Sequence, residues 1–206
     1  MSEIVQKDIG KTPLVVVLSG PSGVGKDAVI AHLRTLGRPY HSVVTATTRP
    51  KRYSEKEGID YIFLSPDEFD QMLADDEFME WAQVYGNRYG VPKNQVRDAL
   101  KRGQDVIIKI DVQGAATIKT LAPQAVFIFL APTSLSELET RLKDRKTEAD
   151  TDINLRLRTA KAEMGHRPMF DYVVLNRDGL LGQTVKEVEA IIEKEKSRCP
   201  PRLVEL

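Results

Sequence analysis

The segment GPSGVGKD at residues 20–27, with the spacing GxxxxGK, constrains the fold more than any other part of the chain. It follows an apolar run at 14–18 and precedes a helical pattern of apolar residues, so the order is strand, turn and helix. Gly23 and Gly25 allow backbone N–H groups to curve around phosphate oxygens at the positive end of that helix. Lys26 can reach the β- and γ-phosphates of a nucleotide. The segment therefore predicts a phosphate-binding loop, or P-loop.

Along the rest of the chain, apolar patterns typical of strands alternate with patterns typical of helices. This alternation predicts an α/β fold whose central parallel sheet is covered by helices on both faces. The predicted strands lie at 14–18, 42–46, 59–64, 105–110, 126–130 and 172–175, and the predicted helices at 26–36, 66–75, 93–102, 113–121, 134–145, 152–165 and 182–197.

Two segments interrupt the alternation and are predicted to be insertions. The segment 45–96 holds most of the aromatic residues, glycine-containing turn signals and a cluster of basic residues, so a separate subdomain is expected there. The segment 134–161 is rich in charge and poor in large apolar side chains, which favours a mobile lid over a core element. The core would then comprise 1–44, 97–133 and 162–206.

The charge balance narrows the classes of partner. The 206 residues include 30 basic and 30 acidic side chains, so neither nucleic acid nor a membrane surface is an expected partner. The single cysteine, Cys199, cannot form an internal disulfide, and the histidines lack metal-ligand spacing, which fits a cytoplasmic protein. No export signal is expected, and no apolar run reaches the roughly 18 residues that would cross a membrane. Both a monomer and a homodimer are compatible with this composition.

Five blocks of sequence, in this order, resemble the guanylate kinases, which transfer the γ-phosphoryl group of ATP to GMP. The blocks are GPSGVGK at 20–26, TATTRPKR at 45–52, GIDYIFLS at 58–65, EFMEWAQVYGNRYG at 77–90 and IDVQG at 110–114. The resemblance spans about residues 12–195. It implies a P-loop NTPase-type three-layer fold with a central parallel sheet, a mixed α+β subdomain at 45–96 that binds GMP, and a helical lid at 134–161.

The resemblance implies where GMP binds. Guanine presents N1–H and an exocyclic amine side by side, and a carboxylate can accept both, which is the role implied for Glu80. Adenine would leave that carboxylate unmatched, so the same residue would select against it. Family position puts Thr45 and Asp111 near the base, and assigns the phosphate to Arg49, Arg52, Tyr61 and Tyr89. Without the resemblance, the two arginines would be interpreted as part of an ordinary solvated turn.

The resemblance also implies an ATP site and a set of charges for the transfer. The ATP-binding residues would be Gly20, Pro21, Ser22, Gly23, Val24, Gly25, Lys26, Asp27 and Asn176. Asn176, expected near the adenine, could equally be a turn residue at a strand end. Lys26 and the lid arginines Arg141, Arg145 and Arg156 would be catalytic, because phosphoryl transfer depends on positioning and charge stabilisation. Arg158 is expected to be a surface charge, and Mg²⁺ is expected to accompany ATP.

Three positions depart from the family pattern. Asp27 stands where a hydroxyl residue normally contacts Mg²⁺, and Lys109 stands where a carboxylate is usual. In a regular strand the side chain of Lys109 would face the loop that carries Asp27, so an ion pair between them is predicted. Asp27 could then bind Mg²⁺ while Lys109 balances its charge, or Lys109 could take over part of the electrostatic role of the metal. Val91, which replaces a hydroxyl residue, could weaken GMP binding.

Other functions are compatible with parts of the sequence. A disabled site is opposed by the retained loop lysine and arginines, since a decaying site should not lose one charge and gain its complement. A different nucleoside monophosphate kinase is opposed by Glu80 and the TATTRPKR block. A guanylate-kinase-like module could instead hold a phosphorylated partner in the GMP pocket, but such modules tend to lose the P-loop that this chain keeps.

Overall fold

The computed structural model describes residues 12–84, 86–144 and 150–204, with only the backbone described at 143, 144 and 150–154. In chain order the elements are β1 (Val15–Ser19), α1 (Lys26–Thr35), β2 (Tyr40–Ser42), β3 (Ala46–Thr47), β4 (Ile62–Phe63), α2 (Pro66–Ala74), β5 (Phe78–Val84), β6 (Asn87–Pro92), α3 (Lys93–Lys101), β7 (Asp105–Lys109), α4 (Val112–Leu121), β8 (Val126–Ala131), α5 (Leu135–Asp144), α6 (Asp150–Met164), a 3₁₀ turn (Arg167–Met169), β9 (Tyr172–Leu175) and α7 (Leu181–Lys196).

The core is a five-stranded sheet in the order β2-β7-β1-β8-β9, and all of its neighbouring strands are parallel. The central strand β1 is buried throughout, which explains its unbroken apolar sequence. Val15 and Val17 pack in one apolar cluster with α3 and α4, whereas Val16 and Leu18 pack in another with α1 and α7. Successive side chains of a strand point to opposite faces, so the sheet has helices on both sides. The predicted three-layer α/β fold is confirmed.

The carboxyl end of this sheet carries the segments with chemical interest. The P-loop follows β1, and Asp111 follows β7 and caps α4 with its side chain. Asn176 follows β9 and donates its backbone N–H to the carbonyl of Ala131 at 2.9 Å. In open parallel sheets, ligands bind beyond the carboxyl ends of the strands, and this edge therefore locates the candidate site.

A second sheet, in the order β4-β3-β6-β5, lies in the segment 45–96. The sequence predicted one strand at 42–46, but the chain there belongs to both sheets: β2 pairs with β7, and β3 pairs with β4 and β6. The antiparallel pair β5 and β6 was not predicted. The first three residues of β5 are all buried and its pairing shifts between Phe78 and Glu80, so the alternation that marks a half-buried strand is lost.

Helices α5 and α6 correspond to the predicted helices at 134–145 and 152–165. They contact each other through a small apolar cluster of Leu138, Leu142, Leu157 and Ala160. Within the part of the chain that the structure covers, no helix is long and apolar enough to cross a membrane.

Candidate active site

One cleft is lined both by P-loop residues predicted to bind ATP and by the residues predicted to bind GMP. Residues 21–27 of the P-loop form one wall. All seven residues predicted for the acceptor side line the same cleft: Thr45, Arg49, Arg52, Tyr61, Glu80, Tyr89 and Asp111. Gly20 precedes this wall, at the end of β1. Residues far apart in sequence therefore share one space beyond the carboxyl end of the core sheet.

The P-loop conformation requires glycine at specific positions. Gly25 caps α1 with a φ of 98°, and a Cβ atom there would lie 2.5 Å from Nδ2 of Asn176. Gly20 has a φ of 145°, and its Cβ would lie 2.2 Å from the carbonyl oxygen of Leu130. The backbone thus curves closely over the sheet and directs the N-terminus of α1 into the cleft, an arrangement suited to an anion.

The ammonium group of Lys26 lies inside this loop. It donates to the carbonyl oxygens of Gly20 and Pro21, the latter at 3.2 Å. Burial lowers the pKa of Lys26 from its ordinary value, and the negative charges of Glu163, Asp27 and Asp111 oppose that effect. Two carbonyl groups of the loop therefore hold the Lys26 side chain in place, beside the N-terminus of α1.

Asn176 and Arg141 both hold the P-loop through hydrogen bonds to the carbonyl of Val24. The buried amide of Asn176 donates to the carbonyl of Val24 at 2.7 Å and accepts from the hydroxyl of Thr184 at 2.9 Å. Arg141 donates to the same Val24 carbonyl at 3.2 Å and to the Asn176 carbonyl at 2.8 Å, and it also contacts Glu137. The Nδ2 end of the Asn176 side chain thus holds the loop while its Oδ1 end is fixed by α7, and its contact with adenine stays a prediction.

The other arginines of the predicted lid differ in their positions. Arg156 on α6 lines the cleft, Arg158 is exposed, and Arg145 lies outside the described residues. Glu163, also on α6, accepts from the backbone N–H of Ser22 at 3.3 Å and lines the cleft. Burial raises the pKa of Glu163, and the nearby charge of Lys26 acts against that rise. Sequence reasoning missed Glu163, because nothing distinguishes it from the other acidic residues of this charged helix.

Glu80 lies at the inner end of the cleft, and only 5% of it is exposed. It projects from β5 onto the first turn of α4, where a Cβ atom on Gly114 would lie 2.6 Å from Oε1 of Glu80. Burial raises the pKa of Glu80 to about 8, and the negative charge of Asp111 adds to the rise. Gly114 belongs to the IDVQG block, and the absence of a side chain there leaves room for this carboxyl group, a role that the sequence alone did not indicate.

Two further residues complete the inner end. The Thr45 hydroxyl donates to the carbonyl of Lys109 at 3.4 Å, close to the junction of the two sheets. Val91 pairs with Glu80 across β5 and β6, and its side chain is fully buried in the apolar core. The third departure from the family pattern therefore replaces a hydroxyl group with a packed apolar side chain beside the buried carboxylate.

Glu55 organises the residues predicted to bind the acceptor phosphate. Its carboxylate lies 2.6 Å from Nη2 of Arg49 and accepts the backbone N–H of Arg52 at 2.8 Å. Burial acts to raise the pKa of Glu55, but these hydrogen bonds outweigh it and hold the pKa below its ordinary value. The Arg49 guanidinium lies 5.3 Å from the ring centre of Tyr61, which contacts Tyr89 edge-on. Sequence reasoning missed Glu55, since the role depends on a folded turn.

The predicted ion pair between Asp27 and Lys109 is present. The Lys109 ammonium lies 2.6 Å from Oδ1 of Asp27, and it donates to the Tyr61 hydroxyl at 3.4 Å. The Lys109 side chain is 13% exposed, whereas that of Asp27 is 61% exposed. Burial alone would lower the pKa of Lys109, but Asp27 and Tyr61 together raise it above its ordinary value. Asp27 and Lys109, the two exchanged charges that depart from the family pattern, thus contact each other in the cleft.

The carboxylate of Asp27 is also the best candidate for a metal contact. Among the residues that the structure describes, no group of three or more His, Cys, Asp or Glu side chains could hold a metal ion. Mg²⁺ commonly binds through one or two carboxylates together with substrate phosphates, and a single carboxylate beside a P-loop fits that mode. The site therefore fits Mg²⁺ held jointly with a nucleotide, not by protein ligands alone.

Comparison with known proteins identifies the family. The model of the family described as guanylate kinase matches residues 12–195. This chain belongs to the guanylate kinase family. The P-loop, the cleft and the second sheet all fall within the matched residues, so the candidate active site is part of the family domain.

Relatives from several organisms support this assignment. The chain is 45% identical to guanylate kinase 2, chloroplastic/mitochondrial, of Oryza sativa subsp. japonica, over 94% of this chain and 68% of the relative. It is 43% identical to the guanylate kinase of Carboxydothermus hydrogenoformans, over 89% of each chain. A crystal structure of guanylate kinase from Anaplasma phagocytophilum is similar, with a TM-score of 0.74 and 30% identity, over 91% of this chain and 88% of the other.

Proposed function

We propose that this protein is an ATP:GMP phosphotransferase, a guanylate kinase that converts ATP and GMP into ADP and GDP. The observation that carries the proposal is the single cleft in which a P-loop lysine, an arginine pair and a buried carboxylate, Glu80, come together. Membership of the guanylate kinase family supports the same activity. In this proposal, 45–96 is the GMP-binding subdomain, 134–161 is the lid, and the rest forms the core.

ATP is the donor in this proposal, bound along residues 20–27. Backbone N–H groups at the start of α1 and the Lys26 ammonium would bind the phosphates, as the loop geometry supports. Asn176 would act by holding the loop through Val24, whatever it contributes to the adenine. Bound with ATP, Mg²⁺ would be held by Asp27 and phosphate oxygens and would neutralise charge on the phosphates.

GMP is the acceptor. The Glu80 carboxylate would accept the guanine N1–H and amine, with Thr45 and Asp111 near the base. Arg49, Arg52, Tyr61 and Tyr89 would bind the phosphate. The bond from the Arg49 guanidinium to Glu55 supports a fixed orientation for that side chain, and the bond from the Arg52 backbone N–H to Glu55 supports a fixed turn that carries both arginines. This arrangement predicts strong rejection of AMP, because a buried carboxylate would then face a ring nitrogen that cannot donate.

The reaction is a direct in-line transfer. A phosphate oxygen of GMP attacks the γ-phosphorus of ATP, and the bond to the β–γ bridging oxygen breaks to release ADP. Lys26, Arg141, Arg145 and Arg156 would stabilise the charge of the transferring group, since this chemistry depends on positioning and electrostatics. Closure of the lid would exclude water and protect ATP from hydrolysis.

A coupled assay of ADP production tests the activity. We expect turnover with GMP and at least a thousandfold lower kcat/KM with AMP, UMP or dTMP, because each lacks the paired donors of guanine. Glu80→Gln should remove most of the preference for GMP. ATP binding without turnover of GMP would contradict the proposal and favour a binding module instead.

The role of the exchanged charges is tested by a double-mutant cycle. Wild type, Asp27→Ser, Lys109→Asp and the double variant are assayed across a Mg²⁺ titration. Charges in contact should couple, so the activity of the double variant should be at least tenfold higher than that of Lys109→Asp. If Asp27 binds the metal, Asp27→Ser will require more Mg²⁺; if Lys109 replaces part of the metal's role, wild type will keep measurable activity at low Mg²⁺. Additive effects would contradict functional coupling of the pair.

A further inference from the structure

Lys109 contacts both sides of the cleft from a rigid position. It is the last residue of β7 and pairs with Leu18 of β1 in the centre of the core sheet. Its carbonyl oxygen accepts from Thr45, while its ammonium contacts Asp27 on α1 and Tyr61. One residue therefore joins the core strand, the end of the P-loop and the segment that carries the acceptor residues.

The contact with Tyr61 has a defined direction. An ammonium group has only donors, so the Tyr61 hydroxyl must be the acceptor in the 3.4 Å contact. The ammonium also lies 4.4 Å from the ring centre of Tyr61, on a ring that Arg49 approaches at 5.3 Å. A phenol that accepts from a cation directs its own hydrogen elsewhere and becomes a stronger donor, because hydrogen bonds in a chain polarise one another.

Burial limits the partners and the rotamers available to the Lys109 side chain. With 13% of the side chain exposed, the ammonium depends on its partners to compensate for lost hydration. Asp27 supplies the opposite charge, and Tyr61 supplies a neutral acceptor and a ring face. Lys109 is therefore held between them, whereas a solvent-exposed lysine would move freely among its rotamers.

We propose that Lys109 is a positioning residue that orients and polarises the Tyr61 hydroxyl, so that this hydroxyl donates to the phosphate of GMP. The inference rests on the proposed function, because it takes GMP as the acceptor. It goes further, because it assigns to Lys109 a role in GMP binding that is exerted through the Tyr61 side chain. Asp27 keeps the ammonium in place for that task from the side of the P-loop.

Binding measurements without metal test the inference. Calorimetric titrations with GMP and with guanosine, in buffer containing EDTA, are compared for wild type, Lys109→Met, Tyr61→Phe and the double variant. We expect Lys109→Met to raise the Kd of GMP about tenfold, the size of a charge-assisted contact. The Kd of guanosine should change less than twofold, since guanosine lacks the phosphate. In the Tyr61→Phe background, Lys109→Met should change the Kd of GMP less than threefold.

Controls separate positioning from a general effect of charge or folding. Lys101→Met, at the exposed last residue of α3, removes one positive charge away from the cleft and should leave both affinities unchanged. Lys109→Arg keeps a charge and a donor and should bind GMP within about threefold of wild type. Circular dichroism and thermal unfolding establish that each variant is folded; if Lys109→Met is not, Lys109→Gln, which also removes the charge, replaces it in the cycle with Tyr61→Phe.

The outcomes distinguish failure of the inference from failure of the proposed function. If wild type neither binds GMP nor phosphorylates it, the proposed function is wrong. If wild type binds GMP but Lys109→Met weakens guanosine and GMP equally, or weakens GMP equally with and without the Tyr61 hydroxyl, the inference is overturned and the proposed function stands.

Discussion

The affinity for GMP should rise with pH, because Glu80 must lose a proton before it can accept both N–H groups of guanine. Burial, reinforced by Asp111, raises the pKa of Glu80 to about 8 from an ordinary value of 4.5. In the ligand-free site the carboxyl group is thus mostly protonated at neutral pH. A protonated carboxyl has a hydrogen on one oxygen, and that oxygen opposes one of the two guanine donors.

The size of the effect follows from the fraction of Glu80 that is ionised. With a pKa of about 8, that fraction is about 1% at pH 6, about 9% at pH 7 and about 50% at pH 8. An apparent Kd equals the intrinsic value divided by the fraction of the competent form, so it should fall about fiftyfold between pH 6 and pH 8. At pH 7, binding should release about 0.9 proton from Glu80, because nearly every site must ionise to bind.

Isothermal titration calorimetry measures that proton directly. Titrations of GMP at pH 7 in buffers with different ionisation enthalpies give the number of protons released, and a pH series gives the affinity. The GMP phosphate itself titrates near pH 6, so guanosine, which has no phosphate, isolates the contribution of the base site. Glu80→Gln should show no release and a flat profile with guanosine. Release of fewer than about 0.3 proton by wild type with guanosine would refute the reasoning.

Three other changes test the same site. Glu80→Gln should stabilise the ligand-free protein by about 3 kcal/mol at pH 7, because a raised carboxyl pKa lowers the free energy of unfolding increasingly from pH 4.5 towards pH 8; thermal unfolding at pH 5 and pH 8 should show the larger gain at pH 8. Gly114→Ala places a Cβ 2.6 Å from Oε1 of Glu80 and should raise the KM for GMP about tenfold or more, with little change in the KM for ATP; equal changes in both would contradict this. Arg141→Lys loses the fork that joins the carbonyls of Val24 and Asn176, and should lower kcat at least tenfold in a steady-state assay while the KM for GMP stays within threefold.

Local sequence order was sufficient to predict the core of this fold. β1, the P-loop and α1 are contiguous; β1 has the unbroken apolar run of a buried strand, and α1 has the apolar period of an amphipathic helix. The hairpin of β5 and β6 was missed for a physical reason. The first residues of β5 pack on both faces, against α4 and within the second sheet, so its sequence lacks the period of two that marks a strand.

The residues of the candidate site also fall into two groups: those that the sequence predicted, and those whose importance depends on contacts made only in the folded chain. Glu80, Tyr61 and the acceptor-side arginines Arg49 and Arg52 were predicted from blocks of sequence, and the fold gathers them in one cleft, although their roles stay predictions. Glu55 and Glu163 were missed because their importance lies in what they contact: a guanidinium and a backbone N–H in one case, and the P-loop backbone in the other. Neither contact leaves a pattern in the sequence, since acidic residues are common on any surface.

The geometry of Asp27 and Lys109 explains why the two departures from the family pattern occur together. A lysine at the end of β7, 13% exposed, would have little compensation for lost hydration if a serine stood at position 27. Conversely, an aspartate at position 27 facing a carboxylate at position 109 would place two negative charges beside the bound phosphates. Each change alone disturbs the electrostatics of the cleft, and the two together restore them. The pair is therefore a single alteration of the site, and its contact with Tyr61 extends that alteration from the donor side to the acceptor side.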